Sequence, residues 1–250
     1  MPGSDPVNPG RRWRPSRPAL LASALLALQL GLGLALDGQR PRDGAIPPPP
    51  PPPVAMLVAE ALGDRQLAFR MAALRLQEAG DGGGEITPLA DYDYGRVLGW
   101  LEAIDRLDPR SDHVMAMAAY YFALVHDPKK IAMMVDFLAR TSMEHPETRW
   151  RYLAQAAYLA RHRLKDRKRA MAIARQLAGL DVAGLPVWVR QMPAFVLADL
   201  GEAEAAADMM GAILASRPDL PEDERRLMIE FIERQAGKAP TGDRLRHRLP

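Results

Sequence analysis

The sequence has 250 residues, which is enough for one domain of ordinary size plus an appendage. Its 33 basic and 31 acidic residues leave a formal net charge of +2, a balance that argues against a nucleic-acid-binding protein. There is no cysteine, which excludes disulfides, thiolate chemistry and zinc sites with cysteine ligands. Ala, Leu and Met dominate while Val, Ile and Thr are sparse, so the composition predicts an all-α fold.

The N-terminal part combines a basic segment with an apolar one. Residues 1–17 are rich in Pro and Gly and end in an arginine cluster, whereas residues 18–36 carry no charge and are mostly Leu and Ala. As a helix, residues 18–36 extend for roughly 27 Å, close to the hydrocarbon thickness of a bilayer, and they predict a transmembrane helix. The positive-inside rule then places the N-terminus in the cytoplasm and the rest in the periplasm, at a bacterial inner membrane. A signal peptide cleaved after Ala35 is the alternative.

A proline-rich linker, residues 37–53, follows the apolar segment. Residues 47–53 are an unbroken run of seven prolines. Such a run adopts the extended polyproline II conformation and spans roughly 20 Å. We interpret it as a stiff stalk that separates the membrane from a folded domain. A ligand for a proline-reading domain is the alternative.

From Val54 onward the sequence carries the start and stop signals of consecutive helices. We predict N-terminal helices in residues 54–94, helical repeats with a capping helix in residues 95–236, and a basic, disordered tail in residues 237–250. Marker prolines at 109, 146, 186 and 218 recur every 32 to 40 residues, a period typical of two helices per repeat. The predicted helix starts and caps are Asp64, Asp91 or Asp93, Ser111, Pro128, Pro146, Pro186 and Pro221.

The last repeat carries the clearest motif. Its small and apolar residues stand at the spacing of a tetratricopeptide repeat; they are Leu200, Gly201, Ala206, Met210, Ile213 and Pro218. Residues 95–236 therefore resemble the tetratricopeptide-repeat superfamily, which implies an α-α solenoid with a groove that binds a protein or peptide. The segments 87–94 and 105–109 also resemble uncharacterised bacterial single-pass membrane proteins, a resemblance that implies no function.

No catalytic constellation stands out in the sequence. No two of the five histidines lie three or four residues apart, and no serine stands in a G-x-S-x-G or S-x-x-K arrangement. Carboxylates such as Asp105, which precedes Arg106, are expected on the solvated surface. We predict a protein that is not an enzyme and that has no catalytic residue, no cofactor and no metal.

Aromatic residues gather on the first helices of the predicted repeats. In a repeat stack such positions mostly pack between helices, but those on the inner surface would make a peptide-binding face, because Tyr and Trp are favoured anchors. Arg151, Arg190 and Gln155 could flank this face. The candidate partner-binding residues are Tyr120, Tyr121, Trp150, Arg151, Gln155, Trp188 and Arg190.

One turn between predicted helices is strongly basic. The candidate basic patch consists of Arg161, Arg163, Lys165, Arg167, Lys168 and Arg169. One interpretation is a solvated turn, where charged side chains are expected and need no ligand. The other is a docking patch for an acidic partner or for anionic lipid headgroups. Aromatic residues do not alternate with these charges, so nucleic acid is not an expected ligand.

These features together predict a membrane-anchored, non-catalytic scaffold whose helical domain binds a protein or peptide partner. A structural or assembly subunit of a larger membrane complex is the alternative, with residues 18–36 packed against other spans. An enzyme of unknown type is the third possibility, and it requires polar groups that converge in a pocket.

Overall fold

A computed structural model describes residues 17–37, 47–82 and 85–238. The predictions for the basic N-terminal segment, for most of the linker and for the basic tail beyond residue 238 lie outside these residues. The chain forms two compact units, Met1–Ala45 and Ile46–Pro250.

The described part of the first unit is one helix, α1, Arg17–Asp37. It covers the apolar segment that the sequence predicts to be helical. Its leucines from Leu20 to Leu32 are largely exposed. Within the described ranges, no helix combines the length and the apolar character needed to cross a membrane. The placement of residues 18–36 in a bilayer stays a prediction.

The described residues of the second unit are mostly helical, as the composition predicts. Its α-helices, in chain order, are α2 (Val54–Glu60), α3 (Arg65–Gln77), α4 (Tyr94–Leu107), α5 (His113–Tyr120), α6 (Pro128–Glu144), α7 (Pro146–His162), α8 (Arg167–Ala178), α9 (Val187–Asp199), α10 (Ala203–Ser216) and α11 (Glu222–Lys238). Short 3₁₀ turns lie at Leu89–Asp91 and Phe122–Leu124. From α6 to α11 each helix packs on the next, an arrangement compatible with a stack of helix pairs.

Aspartate caps begin four of these helices. The carboxylates of Asp64, Asp93, Asp127 and Asp166 each accept a hydrogen bond from a backbone N–H of the first turn. Each bond satisfies a donor that has no partner inside the helix. The caps predicted at Asp64 and Asp93 are confirmed, and so are the prolines that open α6 and α7.

The helix predicted from Ser111 to about His126 is shorter than expected. It begins at His113 and ends at Tyr120, and a 3₁₀ turn follows. Distant side chains bind carbonyls of the segment after α5: the Tyr94 hydroxyl of α4 donates to the Phe122 carbonyl (2.7 Å), which a helix continuing to residue 126 would need for its own ladder. Arg163 Nη2, just after α7, donates to the Val125 carbonyl (2.8 Å). These long-range bonds explain why a local pattern overestimates the helix length.

The glycine-rich connector after α3 is partly ordered. Residues Asp81–Gly82 and Glu85–Ile86 form a two-residue antiparallel ladder. Gly80 precedes it at φ +85°, a conformation that favours glycine. A Cβ at Gly80 would overlap the Tyr92 hydroxyl, which donates to the Ala79 carbonyl.

Two apolar cores hold the domain together. The larger extends from α2 to α9 and includes the fully buried Leu101, Met134 and Leu153. The smaller joins α9, α10 and α11 through residues such as Ala206 and Met210. Gly201 lies between α9 and α10 at φ +80°, as its predicted place in a tight turn requires.

The proline run does not form a stalk that stands clear of the domain. It belongs to the second unit, which begins at Ile46, and it lies against α4. The domain boundary therefore precedes the prolines instead of following them. The sequence prediction was wrong here because a proline run is stiff by itself, but its carbonyls remain open to donors from elsewhere in the chain.

The solvated position expected for Asp105 is also wrong. Asp105 is buried between α4 and α7, where Arg149 Nη2 lies 2.6 Å from its Oδ1. Arg149 is only 1% exposed, and its Nη2 also donates to the Pro109 carbonyl (2.5 Å). The guanidinium thus satisfies both the carboxylate and the backbone at the end of α4.

Candidate partner-binding surface

Helix α7 carries the centre of the candidate surface. Pro146 opens it, and its apolar side, with Leu153, Ala156 and Ala160, is buried in the larger core. The opposite side presents Arg151, Gln155, Tyr158 and His162, none of which is buried. Their spacing of i, i+4, i+7 and i+11 keeps them within roughly 60° of the helix circumference. We call these four residues the α7 strip.

The C-terminal half of the α7 strip consists of two rings, Tyr158 and the titratable His162. Tyr158 is 52% exposed, and its ring centroid lies 4.4 Å from that of His162. Burial lowers the pKa of His162 from its ordinary value, and the charges of Arg161 and Lys165 lower it further. The imidazole is therefore neutral at neutral pH, and the pair presents an apolar, polarisable surface.

Trp150 and Trp188, both candidate partner-binding residues, support the N-terminal half of the α7 strip. Trp150 is only 7% exposed and packs against Trp188, with ring centroids 5.5 Å apart. The guanidinium of Arg151 lies 4.3 Å from the centre of the Trp150 ring, a cation–π contact that holds its side chain in place. Trp150 therefore positions Arg151, and Trp188, at 36% exposed, extends the surface onto α9. Arg190 is exposed on α9, but it lies two residues after Trp188, so the two side chains do not share a helix face.

Tyr120 at the end of α5 and Tyr121 just after it extend the surface on the other side of α7. Tyr120 and Tyr121 are both exposed. The Tyr120 ring lies 6.4 Å from that of Tyr152 on α7, and Tyr121 packs edge-on against the buried Phe122. Through these ring contacts, aromatic side chains connect α5, α7 and α9.

The six residues of the predicted basic patch divide into two groups. Three of them serve the fold: Arg161 pairs with Asp199, Arg163 donates to the carbonyls of Leu124 and Val125, and Arg169 lies 3.4 Å from Asp136 and 3.6 Å from Asp166. Lys165, Arg167 and Lys168 are exposed. The charge available to a partner is accordingly carried by these three side chains.

A cleft connects the α7 strip with the exposed charges. Its volume is about 270 Å³, and it is lined by residues from the end of α7, the turn after it, the start of α8 and the end of α9. They are Arg161, His162, Lys165, Arg167, Asp199 and Leu200. The structure thus brings together two groups of candidates that the sequence presents as separate sites.

Tyr152 and Tyr158 belong to the aromatic residues that gather on the first helices of the predicted repeats, and His162 belongs to the basic turn, but the sequence alone did not select these three as members of this surface. The i, i+4, i+7, i+11 spacing of the α7 strip was visible in the sequence and could have identified two of them. Tyr152 shows its role only through its contact with Tyr120, which lies 32 residues earlier.

Within residues 17–37, 47–82 and 85–238, no group of three or more His, Asp or Glu side chains is placed to hold a metal ion. The polar cleft between α4 and α6, about 190 Å³, is lined by Glu102, Asp105, Arg106, Phe137, Arg140, Thr141 and Glu144. Two ion pairs involve residues of this cleft, Arg140 with Glu102 and Arg149 with Asp105.

Comparisons of the chain with protein-family models, with curated proteins and with solved structures give no match. The surface on α7 therefore has to be interpreted from its own geometry.

Proposed function

We propose that the protein is a non-catalytic interaction scaffold whose tetratricopeptide-like domain binds a protein or peptide partner along the α7 strip. The observation that supports this proposal is the set of exposed aromatic and cationic side chains on α7, which ring contacts connect to α5 and α9. Tyr, Trp and Arg are the side chains that most often dominate binding energy at interfaces. Arg151 and Tyr158 would be the central anchors.

The charges around the strip favour a partner with an acidic end. Lys165, Arg167 and Lys168 lie beyond the His162 end of α7 and are exposed. A peptide that placed apolar side chains on Tyr158 and carboxylates beside these cations would match both halves of the surface. Exposed charges of this kind contribute more to the association rate and to orientation than to affinity.

We propose further that α1 anchors the scaffold in a bacterial inner membrane, with the N-terminus cytoplasmic and the helical domain periplasmic. The uncharged sequence of residues 18–36, the arginine cluster before it and the exposed leucines of α1 support this proposal. A helix that exposes leucines on all sides lacks a polar face for water.

A pair of matched double variants tests the binding surface. The full-length, detergent-solubilised protein and its R151E/Y158S variant are used as baits, and captured proteins are quantified by mass spectrometry. The control is R226E/L227S on α11, which makes the same charge reversal and replaces an apolar side chain of similar exposure with serine outside the surface. We expect the α7 variant to lose the partners that the control retains. Equal capture by both variants would contradict the proposal.

The exposed leucines of α1 also favour a second candidate function, that of a subunit of a membrane complex. In that case α1 would pack against other spans and the domain would support the assembly. Replacing residues 18–36 with an unrelated span should then abolish co-migration with a large detergent-solubilised complex. The scaffold proposal expects the partners of the α7 strip to remain bound after this replacement.

A further inference from the structure

The proline run of residues 47–51 is held by hydrogen bonds from α4 and from its N-cap. Proline has no N–H, and an extended proline run makes no internal hydrogen bonds, so its carbonyls need donors from outside. The Asp93 backbone N–H donates to the Pro47 carbonyl (3.0 Å), Arg96 Nη1 to the Pro48 carbonyl (3.4 Å) and Trp100 Nε1 to the Pro49 carbonyl (2.7 Å). Three consecutive prolines are thus bound through their backbones.

Gly99 provides the space for the next part of the run. A Cβ at this position would lie 2.7 Å from Cγ of Pro51, closer than real Cβ contacts come. Glycine is unfavourable inside a helix, and Gly99 lies in the middle of α4. Its presence is explained by the close approach of the proline ring. Beside it, Trp100 is buried and turns its indole N–H towards the run.

This arrangement has the chemistry of a proline-reading site. Recognition of extended proline segments uses an aromatic side chain, with donors for the carbonyls and a shallow slot for the rings. Trp100 supplies the aromatic ring and one donor, Arg96 a second donor, and Gly99 the slot. None of these contacts depends on the chain connection between the run and α4.

We propose that Arg96, Gly99 and Trp100 form a binding site for a proline-rich segment, which the chain's own residues 47–51 occupy. The same site accepts a proline-rich segment of another molecule when its own run is removed. The tether gives the resident run an effective concentration on the order of millimolar, so an external segment competes only poorly with it. The site lies on α4 and is separate from the α7 strip.

Emptying the site in the full-length protein tests this directly. Residues 47–51 are replaced by an equally long Gly/Ser sequence, while Pro52 and Pro53 before α2 are kept. A fluorescein-labelled decaproline peptide should bind this variant at least about tenfold more tightly than the native chain, where the tethered run competes. Adding W100F should abolish the gain, whereas W188F, a tryptophan on α9, should leave it unchanged. A folded, emptied chain that binds decaproline no better than the native chain overturns the proposal.

A disulfide trap keeps the proposal testable if the emptied variant does not fold. The chain has no cysteine of its own. A Cβ at position 99 would lie 3.8 Å from the Cβ of Pro51, a normal disulfide separation, so P51C/G99C should crosslink rapidly within one chain. Gly95 is one turn away, and a Cβ there would have only Asp93 within 4 Å, so P51C/G95C is the matched control.

Competition in the trap then reports binding of an external segment. Decaproline at a concentration on the order of millimolar, near that of the tethered run, should lower the P51C/G99C crosslinking rate at least about twofold. A Gly/Ser peptide of the same length should not change the rate. The proposal is overturned if decaproline does not slow P51C/G99C crosslinking that occurs normally without peptide. It is also overturned if P51C/G99C and P51C/G95C crosslink at equal rates.

Discussion

Replacing Arg149 with Met should lower the free energy of unfolding by about 3–5 kcal/mol, because it leaves the buried Asp105 carboxylate and the Pro109 carbonyl without their donor. Arg149 Nη2 lies 2.6 Å from Asp105 Oδ1, and the guanidinium is 1% exposed. Removing one partner of a buried pair leaves an uncompensated charge out of water, and this cost dominates the effect. Urea denaturation of the full-length protein, followed by helical circular dichroism, measures it.

The ion pair of Arg140 and Glu102 is a matched control. It also joins α4 to a later helix at 2.6 Å, but the Arg140 side chain is 59% exposed. R140M should therefore cost only about 0–1 kcal/mol. The double variant D105L/R149M removes both buried charges and should recover most of the loss from R149M. Equal losses in R149M and R140M would refute the reasoning, because burial would then not decide the value of the pair.

Three further predictions concern single side chains. G99A should destabilise the domain, because a Cβ at position 99 would collide with Pro51. G211A should instead raise the free energy of unfolding by about 0.5–1 kcal/mol, because a Cβ at that helix position has nothing within 4 Å. Thermal unfolding of both variants should show these opposite signs. Because the pKa of His162 is lowered in the folded chain, stability should fall as the pH falls below about 6.5, and H162Q should reduce this dependence; urea titrations at pH 7.5 and 5.5 test it. D127A should cost about 0.5–2 kcal/mol through loss of the α6 cap, measured by the same denaturation.

The helix starts were predictable because their signals are local. Asp64, Asp93 and the prolines that open α6 and α7 act on the backbone within one turn of themselves. The end of α5 was not predictable in this way, because Tyr94 on α4 and Arg163 just after α7 bind the backbone of the segment that follows it.

The candidate surface was predictable only in part. The aromatic residues and the basic turn stand out in the sequence, but their division into supporting and exposed side chains depends on contacts. Trp150 packs against Trp188, and Arg163 donates to a backbone carbonyl after α5, so neither side chain is free for a partner. The same limit applies to the Asp105–Arg149 pair, whose members lie 44 residues apart. Pairings over such distances follow from how the helices pack and have no local sequence signal.

The docking of the proline run changes how the domain should be isolated. A soluble version that began at Val54 would remove the residues that bind Asp93, Arg96 and Trp100. A version that begins at Ile46 retains them and matches the second compact unit.

Partner capture by residues 46–250, compared with the full-length protein and quantified by mass spectrometry, tests the central claim most directly. Our account predicts that the shorter version retains the same partners and loses them when R151E/Y158S is introduced. Recognition would then reside in the helical domain, with α1 as a tether. Partners that appear only with the full-length chain, and that R151E/Y158S does not affect, would contradict the account and favour a subunit bound through its N-terminal helix.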